Sequence, residues 1–483
     1  MASLSEIGCV SQSSYVMIRK TGPEIGLETG LETETETGPK VGLGEEETMA
    51  GVFTQEMRRT HTIYLPNMLP YQNRLLSAAF YFAGWHLKSV PEAAAYPKET
   101  FSVMSGDYCS PGIHIVGNML ALVEKIEREE REEKAIQAQQ TRKSQRGGRD
   151  FAERDPLNIA FLEPQSGGAC KAGNLYHAMC RALERTGRGD IPVISLNPHG
   201  LLQHPGFSLT PKLLAFSAAA ILYSDLLMTL LLQVRPYERE RGSAERVYER
   251  EMRRLEEQLL ESSCGGASFL LRRKENYRHI LRAFAEIPRD NRTLKKVAVT
   301  GEIYSKFAPA GNQGLERFLQ EQGTEYRLGG FANYCIYLVY TERKMEALKG
   351  KRGAGRKKQA ELLLLQRLLE KLQREMNREI RRAGFSCDAE FRDMERYAAR
   401  VISDEYNIGD GWLCAAEASD AAEQGYHRVL FCHPFTCLVS HVGSRGVLKK
   451  LKQQYPNCRF TSIEYDYSGS KAMRDSRILM GIS

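Results

Sequence analysis

Short, wholly apolar runs alternating with helix-length stretches constrain this chain most. Leu157-Asn-Ile-Ala-Phe-Leu162 is a run of the buried type. The Gly167-Gly168 turn follows it, then a helix from Ala172 to Arg185, then a second run, Ile191-Pro-Val-Ile-Ser-Leu196. Strand, turn, helix and strand in that order make a βαβ unit and favour a parallel sheet. Upstream, Thr60-His-Thr-Ile-Tyr-Leu-Pro66 predicts a strand, Tyr71 to Ala83 a helix ended by Gly84, and Trp85 to Val90 a short strand. The pattern returns at Lys295-Lys-Val-Ala-Val-Thr-Gly301, with a helix near Gln313 to Glu321 and a strand near Tyr326. It continues through a helix from Trp412 to Gln424, a strand from His427 to Cys432, a helix from Leu438 to Gln453 and a strand from Arg459 to Glu464. Residues 210–286 read as helical throughout, and 333–383 mostly so.

The expected fold class is therefore α/β, two Rossmann-like open parallel-sheet domains with a helical middle segment. The expected divisions are a disordered low-complexity tail over 1–50, a first α/β domain over 51–209 carrying Cys109 and Cys170, a helical segment over 210–290, and a second α/β domain over 291–483 carrying Cys437. The tail is inferred from Gly26-Leu-Glu-Thr-Gly-Leu-Glu-Thr-Glu-Thr-Glu-Thr-Gly38, which cannot bury a core. The longest apolar run, Leu213 to Leu232, is broken by Ser224, Asp225 and Thr229, so a buried helix is expected and no membrane span. No basic segment followed by an apolar one opens the sequence, which favours a cytoplasmic location. The net charge of +7 gathers partly in Lys349-Gly-Lys-Arg-Gly-Ala-Gly-Arg-Lys-Lys358. That run reads as a solvated loop entering a charged helix, and without interleaved aromatics nucleic acid is not an expected partner.

Eleven cysteines in a chain without a leader argue against a disulfide framework, and none stands in a CxxC pair. Three of them sit on turns: Asp107-Tyr-Cys-Ser-Pro111, Gly167-Gly-Ala-Cys-Lys171 and His433-Pro-Phe-Thr-Cys437. Cys170 and Cys437 each follow a predicted strand, on the edge where open parallel sheets bind ligands. Cys109 precedes a helix, whose dipole favours a thiolate. Brought together by folding, Cys109, Cys170 and Cys437 could hold an iron–sulfur cluster with one iron left open. Cys414 and Cys432 read as core. Cys180, Cys335 and Cys387 could be core or ligand, and Cys9, Cys264 and Cys458 sit in tail or surface contexts. Any of these eight could add a fourth ligand.

Thr60-His-Thr-Ile-Tyr-Leu-Pro-Asn-Met-Leu-Pro70, Tyr108-Cys-Ser-Pro111, Ser166-Gly-Gly-Ala-Cys-Lys-Ala-Gly-Asn174, Gln233-Val-Arg-Pro-Tyr-Glu238, Gly301-Glu-Ile-Tyr304, Gly411-Trp412 and His433-Pro-Phe-Thr-Cys-Leu438 follow one another in an order that resembles the 2-hydroxyacyl-CoA dehydratase-like family. The likeness is to the C-terminal region of the long activases of the benzoyl-CoA reductase and hydroxyglutaryl-CoA dehydratase activator group, from about Thr60 to Met480. The resemblance implies an iron–sulfur cluster, 4Fe–4S or a fused double cubane, with Cys109, Cys170 and Cys437 as ligands. It also implies a partner ATPase activator of actin-like fold that delivers low-potential electrons, and a CoA ester or other small molecule as substrate.

The sequence departs from the family after the last cysteine, where Leu438-Val-Ser-His441 stands. His441, four residues from Cys437, is the candidate catalytic residue, placed to hydrogen-bond a cluster sulfide or donate a proton. Lys171 replaces the more usual arginine. Asp107 and Glu302 are acid–base candidates by position alone. Gly311-Asn-Gln-Gly314 reads as a structural turn, since no Gly-Lys-Ser/Thr follows. The expected function is an ATP-dependent reductase or electron-transfer component, with a homodimer as an expected assembly. The alternatives are a radical CoA-ester dehydratase subunit, or a non-enzymatic interaction protein with a structural or lost cluster.

Overall fold

The structure, a computed structural model, describes residues 51–104, 108–141, 156–164, 170–196, 204–260, 267–348 and 354–483. The tail expected over 1–50, Asp107, the glycines of the Cys170 turn, the charged loop after residue 141, the centre of the basic loop, Cys9 and Cys264 lie outside these residues.

The first sheet contains β1 (Thr62–Leu65), β2 (His86–Ser89), β3 (Ile159–Pro164) and β4 (Val193–Leu196), in the order β2-β1-β3-β4. The second contains β5 (Lys295–Gly301), β6 (Thr324–Leu328), β7 (Arg428–Pro434) and β8 (Arg459–Tyr465), in the order β6-β5-β7-β8. Every pairing is parallel. The two sheets thus share one topology. In each, the order reverses between the first and third strands, which opens a crevice at their carboxyl ends.

The central strands carry consecutive apolar residues because both faces are covered. On β3, Ala160 and Leu162 pack with Phe53, Trp85 and Leu213, whereas Ile159 and Phe161 pack against the helices Ser110–Thr141 and Leu175–Arg185. On β7, Val429 and Phe431 meet the helix Leu413–Glu423, while Leu430 and Cys432 meet the C-terminal helix Lys471–Ile482.

The helix Pro211–Val234 fills the layer between the sheets. Among the described residues it is the one helix long and apolar enough to cross a membrane, yet two-thirds of its most apolar stretch is buried within the fold. It packs against the helices Asn73–Ala83, Ser243–Leu260 and Arg273–Ala285, and also against Met376 and Ile380 of the helix Ala354–Arg382. The helical layer therefore draws on residues from inside the second sheet's sequence. Asp225, which interrupts the apolar run, accepts hydrogen bonds from Gln72 Nε2 and the Ala332 amide, each at 2.8 Å. Arg235, at the end of the same helix, pairs with Glu316 at 2.9 Å.

Two differences from the sequence reading matter. The helix expected over Leu438 to Gln453 is not continuous. It begins at Leu438, widens over His441–Arg445 and resumes over Leu448–Gln454. In the widened turn the Gly446 amide reaches back five residues to the His441 carbonyl at 2.8 Å. Gly443 is pressed against the Gly411 carbonyl, which a Cβ would meet at 2.5 Å. The close approach and the widened turn coincide. The helices Phe391–Ala399 and Lys471–Ile482 were not foreseen. The first buries Phe391, Met394 and Ala398, a helical spacing that could have been read.

Candidate metal centre between the two sheets

Cys170 and Cys437 occupy equivalent places, each on the turn after the third strand of its sheet. Cys170 is extended and leads through the tight turn Lys171–Asn174 into the helix Leu175–Arg185. Cys437 caps the short helix that follows β7, and the Ser440 amide donates to its Sγ at 3.5 Å. Immediately before it, Thr436 has φ +63°, a conformation costly for a β-branched residue and a mark of strain held by the surrounding structure.

Cys109 opens the helix Ser110–Thr141, and the Gly112 amide donates to its carbonyl at 3.0 Å. That helix runs towards β3. The corresponding place in the second unit, ahead of the helix leading to β7, is held by Asp410-Gly411-Trp412.

The turns of Cys170 and Cys437 meet, and Cys109 lies within the electrostatic reach of Cys170. Lys171 Nζ lies 3.4 Å from Thr436 Oγ1, tying the Cys170 turn to the Cys437 turn across the two sheets. The Cys109 thiol feels both Cys170 and Lys171. Glu302 acts on Cys109 and on Cys437, and Tyr406 feels both Cys437 and Cys170.

Glu302 sits at the point where β5 ends. Gly301 before it has φ +130°, and a Cβ there would fall 1.9 Å from the Cys432 carbonyl oxygen, so only glycine fits. This close pass sends the chain sharply into Glu302. Its carboxylate caps the next short helix, accepting from the Tyr304 amide at 3.0 Å and the Ser305 amide at 2.9 Å.

Burial sets the electrostatics. It pushes the Cys109 thiol up to about 11 and the Cys437 thiol up to about 12. It raises Glu302, against the two amides that pull the other way. It raises Asp410 well above the usual carboxyl range, and Glu302 and Glu417 push in the same direction. Lys306 is buried nearby, but its Nζ is committed to Glu417, 2.8 Å from Oε1 and 2.9 Å from Oε2. Without an added cation the Cys109 and Cys437 thiols stay protonated at neutral pH.

Thiols on separate elements, with an amide hydrogen on the Cys437 sulfur, are the donor type that an iron–sulfur cluster takes. The cationic core of such a group would release the thiol protons that burial now holds on. Asp410, Tyr406 and Lys306 were missed from sequence. Gly409 and Gly411, both left-handed, flank Asp410 and were the available signal.

His441 lies beside Cys437, but its polar atoms are engaged elsewhere. Nδ1 meets the Cys437 carbonyl at 2.7 Å, and Nε2 is 3.3 Å from Glu464 Oε1. Cys414 and Cys432 are core residues, and Cys180 and Cys387 are also buried. Cys335 lies within the field of Asp225, and Cys458 is 3.9 Å from His427 Nδ1. The glycine at 311 packs on the Tyr304 ring, in keeping with a structural turn.

Glu163 ends β3 at the same carboxyl edge. It is 1% exposed, and its Oε2 has no hydrogen-bond partner among the described residues. Burial raises it well above the ordinary value of 4.5. A carboxyl raised in the folded state gives stability that is complete below its unfolded value and lost as pH rises towards its folded value. Glu163→Gln should therefore melt higher than the parent at pH 8, with the difference vanishing by about pH 4. Thermal melts across that range check this, and a constant difference would contradict it.

No protein-family model matches the chain, and no curated protein matches it either.

Proposed function

We propose that this chain carries an iron–sulfur centre held by Cys109, Cys170 and Cys437 and works in low-potential electron transfer, reducing a substrate or passing the electron on. The observation that carries the reading is the paired placement of Cys170 and Cys437 after the third strands of two sheets of one topology, with Cys109 within the electrostatic reach of Cys170. When bound, a 4Fe–4S group with three protein thiolates supplies one-electron chemistry and an iron open to a ligand.

The chain's own residues supply the rest. The Ser440 amide stabilises charge on the Cys437 sulfur. Lys171 adds positive charge at the junction of the two turns. Burial raises both Glu302 and Asp410, which favours the protonated form that a general acid beside the centre would need. The sequence holds no Gly-Lys-Ser/Thr phosphate loop, which favours ATP hydrolysis on a separate actin-like partner. The family resemblance supports that partner, a CoA-ester substrate and a cytoplasmic, oxygen-sensitive protein.

The test is paramagnetic resonance of the anaerobically reconstituted, reduced protein. A signal that shifts when a 2-hydroxyacyl-CoA is added supports substrate reduction at the centre. A signal that no CoA ester alters assigns the chain to electron carriage, and no signal from a folded, reconstituted protein overturns the reading.

A further inference from the structure

A second group of potential ligands lies on β7 and β8, and it contains no cysteine. His433 and Glu464 are paired opposite one another in the parallel register. His441 reaches them from the widened helical turn that follows Cys437. One ring nitrogen from each histidine and a Glu464 carboxylate oxygen all lie within 4.8 Å of one another.

The state of each side chain matches what a metal ion requires. His433 is wholly buried. Its Nε2 is held by the Ser462 hydroxyl at 2.6 Å, whereas Nδ1 has no hydrogen-bond partner among the described residues. A buried imidazole rarely leaves a nitrogen unused without reason. His441 is held in the same manner, with Nδ1 on the Cys437 carbonyl and Nε2 towards Glu464. Holding one nitrogen so that the other is aimed is the usual arrangement of metal-binding histidines. Glu464 Oε1 is likewise buried without a hydrogen-bond donor. The half-exposed Arg445 guanidinium approaches it at 3.5 Å and competes with a cation there.

We propose that His433, His441 and Glu464 bind one divalent first-row transition ion, zinc or ferrous iron, at a site separate from the cysteine centre. Two imidazoles and a carboxylate suit these ions, whereas magnesium and calcium take oxygen ligands. His441 and Glu464 are partly exposed, 32% and 21%, so solvent completes the coordination. The ion also fixes the turn that carries Cys437, because His441 grips that residue's carbonyl.

The test uses the full chain with Cys109, Cys170 and Cys437 all changed to Ser, stripped with chelator and titrated with Co²⁺. The expected result is one Co²⁺ per chain, with visible bands of a nitrogen and oxygen site and no thiolate charge-transfer band. His441→Ala and Glu464→Gln should each weaken binding about tenfold or more, and Arg445→Ala should tighten it. His433→Ala should abolish binding, and the two less buried positions carry the test if that variant fails to fold. Binding that is absent, that ignores His441→Ala and Glu464→Gln, or that shows a sulfur band overturns the proposal. The cysteine centre is removed from this experiment, so its own failure leaves the result unaffected.

Discussion

Replacing Cys170 with Ser should strip the anaerobically isolated protein of its brown colour and its iron, while Cys458→Ser leaves both in place. Cys170 has the same position in its sheet that Cys437 has in the other, and its turn touches the Cys437 turn through Lys171 and Thr436. Losing one of three thiolates from a centre between two sheets leaves the cluster two of its proposed ligands. Cys458 lies by His427, at the far end of the second sheet from the strand carboxyl ends. Cys437→Ser should behave like Cys170→Ser, with an informative addition. Cys437 caps a helix, and Ser is a better cap, so this variant should lose iron without losing stability. Iron content and a thermal melt on the same sample separate ligation from folding. Unchanged iron in either variant would contradict the assignment.

Lys306→Met should cost about 3–5 kcal/mol of stability at neutral pH. Lys306 is 4% exposed and Glu417 9%. Glu417 also accepts the Thr300 hydroxyl at 2.6 Å, so its carboxylate is fully engaged. Removing the cation leaves that carboxylate buried and uncompensated. Asp410 would be driven further towards its protonated form, because Lys306 is the charge that opposes its rise. A double change, Lys306→Met with Glu417→Leu, should recover most of the lost stability, since an apolar pair of similar size leaves no orphaned charge. Urea unfolding measures all three variants. A cost below about 1 kcal/mol for Lys306→Met would show that the pair is effectively solvated.

The sheets were legible because a strand covered on both faces carries consecutive apolar residues, as Ile159 to Leu162 and Val297 to Val299 show. The order of strands was not, because nothing in β1 or β5 states which neighbours it takes. That both sheets share one order emerged only in three dimensions, and it is what makes Cys170 and Cys437 equivalent. The broken helix after Cys437 was invisible for a similar reason. Its widened turn coincides with Gly443 meeting Gly411, thirty-two positions earlier in sequence. Thiols on turns could be picked out by the Pro and Gly around them. Glu302 and Lys306 could not be grouped with Asp410 and Glu417, because two segments far apart in sequence, 302–306 and 410–417, deliver them. His433 was read only as part of a cysteine turn, and its alignment with Glu464 depends on the register of β7 on β8.

The most direct measurement is the iron and acid-labile sulfide content of the anaerobically purified chain, with its thiols alkylated before and after the metal is removed. The account predicts iron and sulfide in near-equal amounts, with Cys109, Cys170 and Cys437 protected only while the metal is present. A colourless, iron-free protein with normal circular dichroism after anaerobic reconstitution, and with those three thiols equally reactive throughout, would contradict it.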